Sequence, residues 1–250
     1  MDPVLCLQEV VITYRTRSRL HTAVNRLSLS VSHGEIFGFL GPNGAGKTST
    51  IKAIINLIPL TAGNILLFGK NPAQAAARRR IGYMPEIATY YWYLTPRELL
   101  RMYAGVCGLP GRPARQRIDA LLEQAGLQAE ADMLLRDFSK GMMQKVSLAQ
   151  ALLHDPDFYL FDEPMSGLDP LARLQVRDLM KELRGKGKTV FFSSHELSEA
   201  EMVCDRVAIV HQGQLLKAAA LADILHSKGQ SRSLEQYFIE IIGAGAAGGR

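Results

Sequence analysis

Apolar residues along this chain fall into two periodicities that take turns. Residues 36–40, 158–161, 189–194 and 207–210 are short, nearly continuous apolar runs. Runs of that length predict strands buried on both faces, as in a parallel sheet. Residues 27–32 read Leu-Ser-Leu-Ser-Val-Ser, a strict alternation that predicts a half-buried antiparallel strand. Residues 4–13 are mostly apolar and β-branched and predict another strand, with a basic, polar loop over 15–21 between the two. Further strands are expected over 64–68, ending at Gly69, and over 81–84, stopped by Pro85, and Gln212-Gly213 is expected to turn the chain before the short stretch Gln214-Leu215-Leu216.

Helical spacing fills the remainder. Ile51, Ile54, Ile55 and Ile58 mark one helix, and residues 73–80 a short basic one. From residue 86 to residue 154 the pattern is helical without a strong strand. Ile118, Leu121, Leu122 and Ala125 form one stripe there, and Gly126 is placed to end it. The expectation is an α/β chain with one functional unit over 1–240. Its strand-rich core covers about 1–85 and 155–225, with a helical lobe inserted over about 86–154. Residues 241–250 are expected to form a flexible tail.

One stretch joins the two periodicities. Gly41-Pro42-Asn43-Gly44-Ala45-Gly46-Lys47-Thr48 follows a predicted strand and opens a predicted helix. Two glycines separated by four residues, then Lys-Thr, are the phosphate-binding loop pattern of P-loop NTPases. Small residues let backbone N–H groups close around phosphate oxygens, and the helix N-terminus adds partial positive charge. Lys47 then reaches the β- and γ-phosphates, and Thr48 offers its hydroxyl to Mg²⁺.

A second stretch supplies carboxylates. The apolar run 158–161 leads into Asp162 and Glu163, at the strand end that faces the ligand crevice of an open parallel sheet. Asp162 suits a metal with its water shell, and Glu163 suits orienting or deprotonating an attacking water. His195 follows the run 189–194 and is either structural or within reach of a γ-phosphate. Tyr14 is either a strand-end aromatic or a platform for an adenine ring.

Composition adds little to this. The 250 residues are 47% hydrophobic, enough for a core, and the net charge is +5. That charge suits anionic ligands or an anionic membrane face as well as an ordinary solvated surface, and decides nothing about nucleic acid. Cys6, Cys107 and Cys204 are odd in number and lack metal spacing, which points to reduced thiols in a reducing compartment. The start, with Asp2 and no long apolar run, lacks the secretory pattern. No apolar stretch reaches the length of a membrane span.

Taken in order, these segments resemble the ATP-binding subunit of an ABC transporter over most of the chain. The phosphate loop has the family's GPNGAGKT form, and Phe138-Ser139-Lys140-Gly141-Met142-Met143-Gln144-Lys145 resembles its signature segment. Asp162-Glu163-Pro164 matches the second nucleotide motif, and Ser166-Gly167-Leu168-Asp169 the loop carrying the dimer-contact aspartate. His195 matches the switch histidine and Tyr14 the adenine-stacking aromatic. The resemblance implies a RecA-like P-loop core with an N-terminal antiparallel β subdomain and an inserted helical lobe. It implies ATP and Mg²⁺ as cofactors, with Glu163, His195 and Lys47 catalytic. Nucleotide contacts come from Tyr14, Gly41 to Thr48, Ser49, Ser139, Gly141 and Asp169. It implies metal contacts from Thr48, Asp162 and Glu86.

It also implies two subunits packed head to tail around ATP, driving a separate polytopic membrane permease from the cytoplasmic face of the membrane. No nucleic acid partner is expected. Glu35 to Leu40, the Ser-Lys-Gly-Met form and Ser233-Leu234-Glu235 are closest to exporter subunits.

The chain departs from the family pattern at three places. Lys140 stands where a second signature glycine is usual, Met142 where Gln is usual, and Glu86 where the lever-loop glutamine is usual. Tyr90-Tyr91-Trp92-Tyr93-Leu94 directly follows that lever loop, where the family meets its permease. Either the run packs into the helical lobe or it forms part of a groove for a permease helix. A soluble ABC ATPase acting on ribosomes or nucleic acid is the alternative function, although the second cassette or coiled-coil insertion of such relatives is missing. A P-loop kinase or GTPase leaves the signature segment unexplained. A binding module without hydrolysis leaves Glu163 unexplained.

Overall fold

The computed structural model describes residues 2–15, 19–226 and 232–247. Strands β1 (Leu5–Arg15), β2 (Leu20–Val31) and β3 (Ile36–Leu40) come first, then α1 (Lys47–Ile54), β4 (Ala62–Leu67), α2 (Ala75–Arg78) and β5 (Ile81–Met84). Helices α3 (Pro96–Val106), α4 (Gly111–Gln124) and α5 (Lys140–Leu152) follow without an intervening strand. The chain then alternates β6 (Phe158–Asp162), α6 (Pro170–Gly185), β7 (Thr189–Ser194), α7 (Leu197–Glu201), β8 (Arg206–His211) and β9 (Gln214–Ala220), and ends in α8 (Leu221–Leu225) and α9 (Leu234–Ala247).

Two sheets form. One is antiparallel, ordered β2-β1-β4; the other is six-stranded, ordered β5-β6-β7-β3-β8-β9. In the larger sheet only the β8–β9 pair is antiparallel. The apolar runs are buried on both faces, as their lack of alternation requires. Successive side chains go to opposite faces. Phe37, Phe39, Phe158, Leu160, Phe191, Ala208 and Val210 share one core with α1 and the antiparallel sheet. Ile36, Leu40, Tyr159, Phe161, Val190, Phe192, Val207 and Ile209 share the other with α3 to α6. The helical segment therefore joins a face of the sheet in one continuous core rather than folding around its own.

Local signals act as the residue types demand. Thr95 and Glu98 form a reciprocal capping box on α3, with Pro96 at its first position. Gly126 takes φ +62 just past α4, and Leu127 N–H returns to Leu122 O at 2.8 Å.

The structure alters three expectations. Residues 15 and 20–21 are strand, with Tyr14 opposite His21 and Arg15 opposite Leu20, so the described residues of the expected loop extend two paired strands at 15 and 20–21. Cross-strand pairing overrides its polar composition; residues 16–18 lie outside the described set. Strand β9 continues to Ala220 because it pairs along the whole of β8. Residues 241–247 continue α9 rather than forming a tail, since Tyr237, Phe238 and Ile241 pack against the core. Residues 248–250 lie outside the described set.

Candidate functional site

The phosphate loop springs from the C-terminal end of β3, in the interior of the six-stranded sheet. Its first and third glycines are demanded by contact. A Cβ on Gly41 would stand 2.2 Å from Val210 O, and one on Gly46 2.3 Å from Ala23 O, with Gly46 at φ +96. Ala45 N–H donates to Pro42 O, and Gly213 N–H donates to Ala45 O, so the loop is stitched to itself and to the β8–β9 turn. Asn43 and Gly44 stay exposed.

Lys47 folds back under this loop. Its Nζ donates to Gly41 O at 2.7 Å and Pro42 O at 3.2 Å, and lies 3.1 Å from Glu163 Oε1. Glu163 follows β6 at φ +50, a left-handed conformation uncommon outside glycine. Its N–H donates to Ser193 Oγ at 2.9 Å. Its second carboxylate oxygen, Oε2, lies 2.8 Å from His195 Nδ1 and accepts from the His195 N–H at 3.3 Å. One carboxylate thus bridges the phosphate-loop lysine and the switch-position histidine.

Asp162, one residue earlier, is 1% exposed. Its Oδ1 accepts from Ser193 Oγ at 2.6 Å and from Thr48 Oγ1 at 3.4 Å. Burial pushes its carboxyl above the usual range; the two hydroxyls pull the other way, and the charges of Glu86 and Glu163 add to the rise. A nearby cation offsets that cost. A hydroxyl and a carboxylate, both hard oxygen donors and only two in number, fit Mg²⁺, which keeps several waters and takes phosphate oxygens alongside one or two carboxylates. Among the described residues no group of three or more His, Cys, Asp or Glu side chains could hold a metal by itself. Glu86 is exposed at the end of β5, near enough for its charge to be felt at Asp162.

Tyr14 is 39% exposed and its hydroxyl donates to Ser49 Oγ at 3.0 Å, which stands the ring beside the start of α1. The ring is open to solvent, as an adenine platform needs, and a strand-end aromatic looks the same.

The signature segment assembles elsewhere. Ser139 N-caps α5, accepting from Met142 N–H at 3.3 Å. Lys140 Nζ lies 3.0 Å from the place of a Cβ on Gly167, and Gly141 faces Leu168. Asp169 N-caps α6 through Ala172 N–H at 2.9 Å. The expected residues therefore fall into two groups in one subunit. Tyr14, residues 41–49, Asp162, Glu163 and His195 converge; Ser139, Gly141 and Asp169 gather at the neighbouring loop.

Sequence reasoning missed two contributors. Ser193 is fully buried and links Asp162 to the backbone of Glu163; a serine closing an apolar strand beside two acids was the available signal. Arg173 donates to Leu168 O at 3.0 Å and pairs with Glu196, tying the Asp169 loop to the residue after His195. Its signal was only its place one turn into α6.

A six-stranded sheet with a lysine-bearing phosphate loop after β3 and two acids at the end of the buried strand β6, one strand removed, defines a P-loop nucleotide-binding protein. The comparisons narrow this. A family profile described as ABC transporter matches residues 24–166. An uncharacterized ABC transporter ATP-binding protein of Nostoc sp. (strain PCC 7120) is 44% identical over 86% of this chain and 66% of its own length. The Nod factor export ATP-binding protein I of Burkholderia orbicola is 39% identical over 82% of this chain and 68% of its own length. A solved structure of an ATP binding subunit of an ABC transporter superposes with TM-score 0.87 at 33% identity, covering 96% of this chain and 99% of that one. The chain belongs to the ATP-binding proteins of the ABC transporter family. It spans between 63% and 66% of the length of the first two curated relatives it matches.

Proposed function

We propose that this protein hydrolyses ATP as the motor subunit of a membrane exporter. The reading is carried by one observation: the Glu163 carboxylate is held between Lys47 and His195, next to the buried Asp162–Thr48 pair.

The chemistry follows from the charges. The loop N–H groups and α1 receive the β-phosphate, and Lys47 exchanges its pairing with Glu163 for phosphate oxygens. Glu163, released from Lys47, accepts a hydrogen bond from a water placed in line with the γ-phosphate. His195 holds the other carboxylate oxygen and orients it. Thr48 and Asp162 are the residues that would hold Mg²⁺, with Glu86 at the rim of its water shell; the ion supplies Lewis-acid neutralisation of phosphate charge. Tyr14 stacks on the base.

Ser139, Gly141 and Asp169 lie with the Asp169 loop rather than with Lys47. They therefore serve the nucleotide of a second subunit, in the head-to-tail dimer that the family resemblance implies. Among the described residues no helix is long and apolar enough to cross a membrane, so transport calls for a permease. Ile87, Tyr91, Trp92 and Tyr93 are exposed together after Glu86. They form the surface that receives a cytoplasmic helix of that permease. Export as the direction draws on the exporter-like relatives, and the place of work is the cytoplasmic face of the membrane.

The test is steady-state phosphate release from ATP by the purified chain with and without Mg²⁺, together with its distribution between membrane and ribosome fractions. Mg²⁺-dependent release and membrane association support the proposal. Absence of phosphate release, or ribosome association alone, overturns it.

A further inference from the structure

The backbone of Glu163 is held from two sides. Its N–H donates to Ser193 Oγ, from within the sheet. Its carbonyl accepts from Gln144 Nε2 at 3.3 Å, and the next carbonyl, of Pro164, accepts from the same nitrogen at 3.0 Å. Gln144 belongs to α5, the helix that the signature segment opens. It is five residues beyond the capping Ser139, about 7.5 Å along the axis at the α-helical rise of about 1.5 Å per residue.

Three features set this contact apart from ordinary packing. Gln144 is 7% exposed and its Oε1 has no hydrogen-bond partner. A half-satisfied buried amide is costly, so an apolar side chain would pack there more cheaply. The two carbonyls also settle the amide's orientation, since only the NH₂ end can serve both. Finally, a cavity of about 290 Å³ opens among α4, α5, α6 and the Pro164–Leu168 turn, with Gln144 in its wall. The polar tie therefore adds a directional hold on the Glu163 backbone to the apolar packing of α5 with Met165 and Leu168.

We propose that Gln144 is a positioning residue that couples the signature helix to Glu163 within one subunit. The left-handed backbone of Glu163 is a conformation that persists only when its surroundings over-determine it. Gln144 supplies the part of that constraint that comes from the helical segment. A shift of α5, driven by whatever its N-terminus touches, withdraws both hydrogen bonds and lets the carboxylate leave its place between Lys47 and His195. The signature segment thereby reports on one nucleotide while setting the readiness of the carboxylate that acts on another. The inference rests on the hydrolysis reading above.

The test uses Gln144→Met, which keeps length and removes the donor, and Gln144→Glu, which donates only when protonated. In Gln144→Met the kcat for ATP falls about 10-fold, KM stays within 2-fold, and the unfolding midpoint does not fall. Amide exchange over residues 163–168 quickens at least 10-fold, because the Ser166 N–H donates to the same Glu163 carbonyl. In Gln144→Glu the rate relative to wild type rises as pH is lowered, since the acid form restores a donor. An unchanged kcat in Gln144→Met, a matched loss of stability and activity, or a flat relative pH profile in Gln144→Glu overturns the proposal. The exchange arm needs no turnover. If wild-type protein releases no phosphate, the motor reading falls, and unchanged exchange in Gln144→Met then separately overturns the tie.

Discussion

Lys47 Nζ lies 3.1 Å from Glu163 Oε1, with both side chains no more than 7% exposed. A buried pair of this kind is weak as a source of net stability, because desolvation cancels much of the attraction. It is strong as a device, because removing either member strands the other. The pair therefore sets up a competition in which a phosphate that claims Lys47 also frees Glu163.

Glu163→Gln removes the charge and keeps the shape. ATP hydrolysis is expected to fall at least 100-fold, in the range associated with loss of a general base. Nucleotide affinity should hold or tighten, since Lys47 loses its competing carboxylate. Parallel phosphate-release and fluorescent-nucleotide titrations check both halves. A rate close to wild type removes Glu163 from the water-orienting role.

Lys47→Ala leaves a carboxylate buried beside Asp162 with His195 as its remaining partner. Nucleotide affinity should drop sharply, and unfolding free energy should fall by about 3 kcal/mol. Adding Glu163→Gln to Lys47→Ala should restore much of that stability without restoring binding. Denaturant titrations of the four proteins in the cycle give the coupling directly. Additive losses would show that the two side chains are not coupled.

The glycines of the loop should differ in their sensitivity. Gly41→Ala and Gly46→Ala drive a methyl into backbone carbonyls of Val210 and Ala23 and should abolish nucleotide binding. Gly44→Ala meets no atom within 4 Å and bears only its φ of +81, a strain of about 1–2 kcal/mol. It should keep measurable binding. Equal loss in all three would contradict the contact geometry.

His154 offers a pH readout away from the nucleotide. Its Nε2 lies 3.1 Å from Ile81 O, its Nδ1 is buried without a partner, and burial lowers its pKa. The folded state thus favours the neutral ring. Stability is fully present above the ordinary value of 6.5 and is lost as pH falls from there towards the lowered value. His154→Gln should flatten the part of the unfolding-midpoint curve that lies between 6.5 and the lowered value. An unchanged slope would assign the acid sensitivity to other groups.

Trp92 is 62% exposed, and Ile87, Tyr91 and Tyr93 beside it are also open to solvent. Tyr90 and Leu94 instead pack against the core, so the five-residue run is split between side chains that turn inward and side chains that face solvent. Trp92→Ala should leave the unfolding midpoint and basal ATPase unchanged and lower recovery of a membrane complex. Full recovery moves the docking surface elsewhere.

Much of this was legible because the signals were local. Nearly continuous apolar runs identified β3, β6, β7 and β8, and Gly126 marked the end of α4. The phosphate loop could be read because its glycines answer to contacts that any such loop must make. What escaped reading depends on partners distant in sequence. Residues 20 and 21 are strand because β1 lies opposite them, and Ser193 matters because β6 sits alongside. Gln144 lies in the segment that resembles the family signature, but only the fold brings its amide to the carbonyls of Glu163 and Pro164.

The neighbours of β3 in the sheet have a consequence for how the protein is made. On one side β3 pairs with β7, on the other with β8, although both are encoded more than a hundred residues later. The glycine loop emerges from the ribosome well before β7 and β8, and the edges that shape it arrive only once synthesis has passed His211. At typical elongation of about 5–20 residues per second, β3 spends on the order of ten seconds as an apolar segment with unpaired edges. A nascent chain halted before that point has the nucleotide motif in its sequence and no site in its structure. Until then the antiparallel sheet and α1, both complete by Leu67, can cover only the face of β3 that carries Phe37 and Phe39, while Ile36 and Leu40 wait for the later helices.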